Sequence, residues 1–259
     1  MKENNSHCSS VISLYRQAED YFFRGIAFQT KDFADEATAY RTEAPVGDLN
    51  PVFVRKHALS FEEILKVSES FYGSLPFTMV IPENLSDHHT ILKNRNYAQT
   101  SVSHCMMLDL DAFHEESIIE TEVKILPTDQ HLSEWMIPLS GGFECPLETV
   151  SFYAKAHEEA LKKKVNLCHF TLYQKEEPVT SVTLSFHNNL ARLDDLATGP
   201  KHQRKGYGKH LLIYALQEAK KKGARYCCLE SSDEGLALYE KRGFKTLFKN
   251  QIYAPPESL

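Results

Sequence analysis

The run from Gly199 to Leu211, Gly-Pro-Lys-His-Gln-Arg-Lys-Gly-Tyr-Gly-Lys-His-Leu, constrains this chain more than any other stretch. It joins a strand-like segment, Arg192 to Thr198, to a strongly periodic helix, with Gly206 and Gly208 at the junction. Glycine removes the Cβ that would hold backbone amides away from a ligand, and a helix start presents unpaired N–H groups and a positive dipole end. Arg204, Lys205 and Lys209 add positive charge. The stretch is predicted to cradle a phosphate-bearing ligand. A Walker loop is excluded, because Gln203 stands where its first glycine belongs and His210 where its Ser or Thr belongs. A dinucleotide fingerprint is excluded too: Leu211 replaces its third glycine, and the preceding strands read as an antiparallel meander.

The surrounding pattern has clear punctuation. A helix over 208–222 carries Leu211, Leu212, Ala215, Leu216 and Ala219 on one face, with lysines in its last turn and Gly223 as a left-handed cap. A strand over 226–230 follows. Ser231 with Glu234 reads as a capping box for a helix over 232–242 that Gly243 ends, and Phe244 opens a closing strand. Upstream, 120–126 alternates, helices are predicted over 129–137 and 147–163 around the loop Ser140-Gly141-Gly142-Phe143, and 167–173 with 179–186 forms a hairpin. This half reads α-α-β-β-β-α-β-α-β. Earlier in the chain, helices are predicted over 8–28, 60–71 (Ser60 and Glu63 as a capping box) and 86–95 (Ser86 as cap), with strands over 37–41, 52–55, 75–81 and 97–110. The domain boundary is placed near 118, giving units 1–118 and 119–259.

Charge narrows the partners. With 29 Lys and Arg against 35 Asp and Glu the net charge is −6, so neither a nucleic acid nor an anionic membrane is expected as a partner. The polar start, Met1-Lys2-Glu3-Asn4-Asn5, lacks the apolar core of a signal peptide, and no run of about 18 apolar residues occurs, so a cytoplasmic protein is expected. Cysteines at 8, 105, 145, 168, 227 and 228 form no C-x-x-C pair and are read as reduced thiols. The adjacent pairs His7-Cys8, His104-Cys105 and His88-His89 lack the spacing of zinc ligands, so no metal site is predicted.

Gln203-Arg204-Lys205-Gly206-Tyr207-Gly208 has the form Q/R-x-x-G-x-G/A. With the later Ala237-Leu238-Tyr239-Glu240-Lys241-Arg242-Gly243-Phe244, in this order of strands and helices, the chain resembles the GCN5-related N-acetyltransferase (GNAT) family over residues 120–250. The resemblance implies an α/β fold of the α+β kind: a mixed, mostly antiparallel central sheet flanked by helices. It implies acetyl-CoA as co-substrate and an amine as acceptor, attacked directly in a ternary complex. The pyrophosphate is then assigned to Gln203, Arg204, Lys205, Gly206, Tyr207, Gly208 and Lys209, and the pantetheine and thioester to Leu196, Ala197 and Thr198. Leu196 N–H is the oxyanion donor and Tyr239 the proton donor to the leaving thiolate. Asp194 matches the catalytic carboxylate of some members, with Glu230 the other choice of base, and strand alternation allows at most one of Asp194 and Asp195 to view the acceptor. Ser231 and Ser232 are placed near the pantetheine, and His202 and His210 are read as surface residues.

Leu92-Lys93-Asn94-Arg95-Asn96-Tyr97 echoes Tyr239 to Phe244, with Asn for Gly at the left-handed cap. The first unit is therefore expected to be a degenerate, non-catalytic GNAT-like domain, two similar domains lying in tandem. It lacks both the phenol and the glycine cradle. The competing expectation is a non-catalytic acyl-CoA-binding or regulatory protein that keeps this fold.

Overall fold

The computed structural model describes residues 2–58, 60–114 and 123–256, the side chains of 2–9 excepted. Its elements are α1 (Lys2–Ile26), β1 (Gln29–Phe33), β2 (Ala37–Arg41), a 3-10 turn (Gly47–Leu49), β3 (Pro51–Val54), α2 (Phe61–Tyr72), β4 (Thr78–Pro82), α3 (Ser86–Asn94) and β5 (Ala98–Asp109). There follow β6 (Val123–Pro127), α4 (Leu132–Gly142), α5 (Leu147–Lys162), β7 (Leu167–Gln174), β8 (Glu177–His187), β9 (Leu190–Thr198), α6 (Tyr207–Lys221), β10 (Tyr226–Ser231), α7 (Asp233–Glu240) and β11 (Lys245–Ala254). One sheet of eleven strands contains them all, in the order β1-β2-β3-β4-β11-β5-β10-β9-β8-β7-β6. Only β3–β4 and β9–β10 are parallel; every other pair is antiparallel.

The two halves are interlocked. β11 lies between β4 and β5, and β5 lies between β11 and β10, so each half contributes a strand to the middle of the other. The boundary placed near 118 falls outside the described residues, and the sheet itself has no seam there. α1 belongs with the second half: Phe22 and Ile26 pack with Trp135 and Leu139 of α4 and Tyr153 and Ala156 of α5.

Strand alternation explains how both faces are covered. Val182, Leu184 and Leu193 turn toward Leu212, Ala215, Leu216 and Tyr239 of α6 and α7, while Ser181 turns toward α4, donating to the Trp135 carbonyl at 2.6 Å. Ala37, Val52, Val54, Met79 and Ile81 make a second core with α2 and α3.

Several boundaries differ from expectation. α4 continues through Gly141 and Gly142, against the loop expected at 140–143; a Cβ on Gly142 would lie 2.9 Å from Ala197 Cβ, so the missing side chain lets the helix lie directly on β9. Ser60 makes no side-chain cap bond, and Ser86 is the first helical residue of α3. The cap of α7 is Ser232, not Ser231: its hydroxyl accepts from Gly235 N–H, while Ser231 closes β10. β1 has no counterpart among the expected strands, because Gln29–Phe33 is nearly all exposed and has no alternating apolar pattern. Among the described residues no helix is long and apolar enough to cross a membrane, no group of three candidate ligands is placed to hold a metal, and Cys105, Cys145, Cys168, Cys227 and Cys228 are free thiols; Cys8 lies among the residues whose side chains are not described.

Candidate active site

The site begins where β9 outruns its neighbour. Parallel pairing with β10 ends at Leu193–Leu229, yet β9 continues to Thr198, leaving Asp194–Thr198 without a partner on that side. On its other side the register with β8 slips between Thr183–Asp194 and Ser181–Ala197, a bulge that contains Asp195 and Leu196. Asp195 takes φ +60°, the left-handed conformation that lets the extra residue leave the ladder. Leu196 thus has no register partner on either strand, which leaves its amide geometrically suited to meet a ligand.

The cradle follows directly. Arg204 (φ +62°) and Gly206 (φ +87°) turn the chain into α6, with Gly206 as N-cap. The backbone N–H groups of Arg204 to Gly208 have no backbone acceptor among the described residues; the first turn bond runs from His210 N–H to Gly206 O at 3.0 Å. A side chain on Gly206 would project into open space, whereas a Cβ on Gly208 would stand 3.3 Å from Thr198 Oγ1. That hydroxyl lies 3.0 Å from Thr180 Oγ1, and Gln203 Nε2 donates to Thr198 O at 3.2 Å, tying the loop to the strand end. Arg204, Lys205 and Lys209 are exposed at the rim, Tyr207 is half-buried and Ala197 is buried against α4. The end of β9 and the start of α6 therefore adjoin, with Thr198 in contact with both Gln203 and Gly208.

The acidic residues separate into different roles. Asp194 accepts from Arg192 Nε at 3.0 and 3.1 Å, and Arg192 is itself buried, donating to Tyr15 of α1. Burial pushes the Asp194 carboxyl up to about 6 despite this ion pair. Glu230 accepts from Ser103 and from Asn250 Nδ2 at 3.3 Å, and its other oxygen lies 3.8 Å from Nη2 of the same Arg192. Asp195 faces the opposite way, into a cavity of about 330 Å³ lined by Leu139, Phe143, Val150 and Tyr153 of the second half and by Val46 and Asp48 of the first. Tyr153 OH donates to Asp195 Oδ1 at 3.1 Å. Burial, and next the negative charge of Asp194, push Asp195 up to about 7, near neutrality, where a carboxylate can both take and release a proton. Strand alternation allows only one of the two aspartates to face a given side, and the left-handed bulge turns Asp195 toward the cavity while Asp194 pairs with Arg192.

Tyr239 lies on α7 against the β9–β10 opening, buried with Leu193 and Leu229. Its hydroxyl makes no hydrogen bond among the described residues, and burial, then Asp194, raise its pKa well above the usual phenol value, so it stays a proton donor. Ser231 is buried and its hydroxyl donates to Ser232 O at 2.8 Å, so its polar capacity is partly committed within the fold.

The strand edge that opens past the parallel pair β9–β10 thus lies directly beside the glycine turn that starts α6. Residues 133–244 match the model of the Acetyltransferase (GNAT) family. Among solved structures, the chain is similar to a GCN5-related N-acetyltransferase from Kribbella flavida, with TM-score 0.68, 11% identity, and 94% of this chain and 96% of that one covered. A GCN5-related N-acetyltransferase from Sphaerobacter thermophilus gives TM-score 0.62 at 11% identity, covering 86% and 78%. A tandem GNAT protein from the clavulanic acid biosynthesis pathway gives 0.59 at 12%, covering 86% and 80%. At such identities the likeness is one of fold. No curated protein matches the sequence.

Proposed function

We propose that the chain transfers an acetyl group from acetyl-CoA to a primary amine bound between its two halves, by direct attack in a ternary complex. The observation that carries this reading is the coincidence at one β-bulge of an unpaired strand edge, a glycine cradle and a cavity bearing a near-neutral carboxylate. The residues present fit the co-substrate: the amides of Arg204 to Gly208 and the rim cations suit a pyrophosphate, and the open edge at Leu196, Ala197 and Thr198 suits an extended pantetheine. Bound there, the co-substrate supplies an activated acetyl thioester. The Leu196 amide is a fixed dipole for charge gathering on the acyl oxygen. An alkyl ammonium, with an ordinary pKa near ~10.4, cannot attack until it loses a proton, and Asp195 takes it. The Tyr239 hydroxyl gives a proton to the departing sulfur and is reloaded by the second proton that the nitrogen sheds.

The acceptor is an amine carried on an apolar body, since Leu139, Phe143, Val150 and Val46 supply most of the wall and Asp195 and Asp48 its negative charge. The first half acts as a degenerate, non-catalytic repeat that builds one side of this cavity. Incubation with acetyl-CoA and a panel of primary amines should give acceptor-dependent release of free thiol. Tight acetyl-CoA binding with no acceptor-dependent release would instead mark a non-catalytic acyl-CoA-binding protein.

A further inference from the structure

Two buried polar atoms face each other without a hydrogen bond: His157 Nε2 and Asp195 Oδ2, 4.0 Å apart. Behind His157 the polar contacts continue unbroken through the interior. His157 Nδ1 lies 2.8 Å from His169 Nε2, and His169 Nδ1 lies 2.7 Å from Asp129 Oδ1, which also accepts the His169 backbone N–H at 2.8 Å. The four residues come from α5, β7, the β6–α4 turn and the bulge of β9. Both imidazoles are fully buried, whereas the Asp129 side chain is 36% exposed.

Proton placement follows from the far end. An ionised Asp129 can only accept, so His169 Nδ1 donates to it, and with one proton on the ring its Nε2 becomes an acceptor. His157 must then donate through Nδ1, which leaves the lone pair of Nε2 aimed at Asp195. A lone pair and a carboxylate oxygen repel, in keeping with their 4.0 Å separation, but a proton on Oδ2 turns that repulsion into a hydrogen bond. Trp135 and Phe22 enclose the rings and screen them from water. The titratable and charged groups facing the pair are Tyr153 on α5, which donates to Oδ1, Asp194 and Arg192 on β9, and Asp48, which lines the cavity that Asp195 enters.

We propose that Asp129, His169 and His157 form a positioning chain that fixes a lone pair against Asp195 Oδ2, so that Asp195 holds the acceptor's proton on that oxygen. The proposal rests on the acyl-transfer reading for its role, though not for its geometry. The step is balanced: the N–H bond of the bound ammonium breaks, an O–H bond forms on Asp195, and the proton leaves to water when the product opens the cavity. None of the three positioning residues touches the acceptor; they act through Asp195.

Nitrogen NMR of the histidines tests the geometry without any ligand. In the wild type His157 should carry its proton on Nδ1, and its Nε2 signal should follow a titration that disappears in Asp195→Asn. A proton on Nε2, or an Nε2 signal unchanged by Asp195→Asn, overturns the proposal. The kinetic arm uses acetyl-CoA with phenethylamine, tryptamine, hexylamine and spermidine. Asp129→Ala should move the acidic limb of the kcat/KM profile down by about one pH unit with acetyl-CoA affinity intact, while Asp129→Asn, which keeps an accepting oxygen, restores it. A folded Asp129→Ala protein with an unmoved profile also overturns it. Absence of turnover by the wild type on every amine sinks the acyl-transfer reading, and the NMR result still decides the positioning chain.

Discussion

The halves of this sheet repeat one frame and finish it differently. β3-α2-β4-α3-β5 and β9-α6-β10-α7-β11 have the same order and each contains one parallel pair. Their second helices end alike: Tyr97 N–H donates to Leu92 O at 3.0 Å and Phe244 N–H to Tyr239 O at 3.2 Å, with Asn96 at φ +61° and Gly243 at φ +89° in the left-handed turn. Yet Leu92 is a buried core residue where the other half has a phenol. The turn from β3 into α2 contains no glycine, and β9 runs past its parallel partner where β3 barely does. The comparison teaches that the frame fixes where a site can lie, while a bulge and two glycines decide whether one forms.

The sharpest way to break the comparison is to place a carboxylate at each helix start. Gly208→Glu, or Gly206→Glu, should weaken acetyl-CoA binding by roughly 100-fold or more through charge and steric conflict at unpaired amides, whereas His57→Glu in the β3–α2 turn should leave it within about twofold. Calorimetry reads both, and equal effects would mean that the cradle is misplaced. Next in size, Tyr239→Phe should retain binding and lower kcat by about 100-fold, the low end for a lost proton donor. Unchanged turnover in a single-turnover assay would return Tyr239 to the core.

A third test concerns pH. The carboxyl of Asp195 is raised in the folded state, so its contribution to stability is present at low pH and is lost as pH rises from its unfolded value near 3.8 through about 7. Asp195→Asn should therefore lose activity and yet melt higher than wild type at pH 8, by on the order of 2 kcal/mol, with little difference at pH 4. Thermal melts at the two pH values decide it. The smallest effect compares the two left-handed caps. Gly243→Ala should cost roughly 1–2 kcal/mol, because the strained φ is joined by a Cβ 3.2 Å from Leu108 Cδ1, while Asn96→Gly should stay within about 0.5 kcal/mol. Urea denaturation separates the two.

How far the sequence reached depended on whether a feature was local. Helix α6 with its Gly206 entry and Gly223 exit was legible because caps, periodicity and turn glycines lie within a few residues of one another. The same locality made the Asn96–Gly243 correspondence readable. Asp194 is named by its likeness in position to a family carboxylate, and alternation says only that Asp195 faces the other way; nothing in Leu193-Asp194-Asp195-Leu196 announces the bulge that turns Asp195 into the cavity. Tyr153, His157, His169 and Asp129 carried no signal at all: four elements bring them together, and singly each reads as an ordinary core or surface residue. The exchange of β5 and β11 was illegible for the same reason, since each is an unremarkable strand until its neighbours are known.

That exchange has a consequence for synthesis. While the chain is being made, β4 and β5 stand ready long before β11, the strand that must lie between them, has left the ribosome. The first half therefore waits as an open template with two unsatisfied strand edges, the condition that invites mispairing with other chains. Release of β11 closes both halves in a single event. Removal of β11 by truncation before Lys245 should therefore cost not one domain but both.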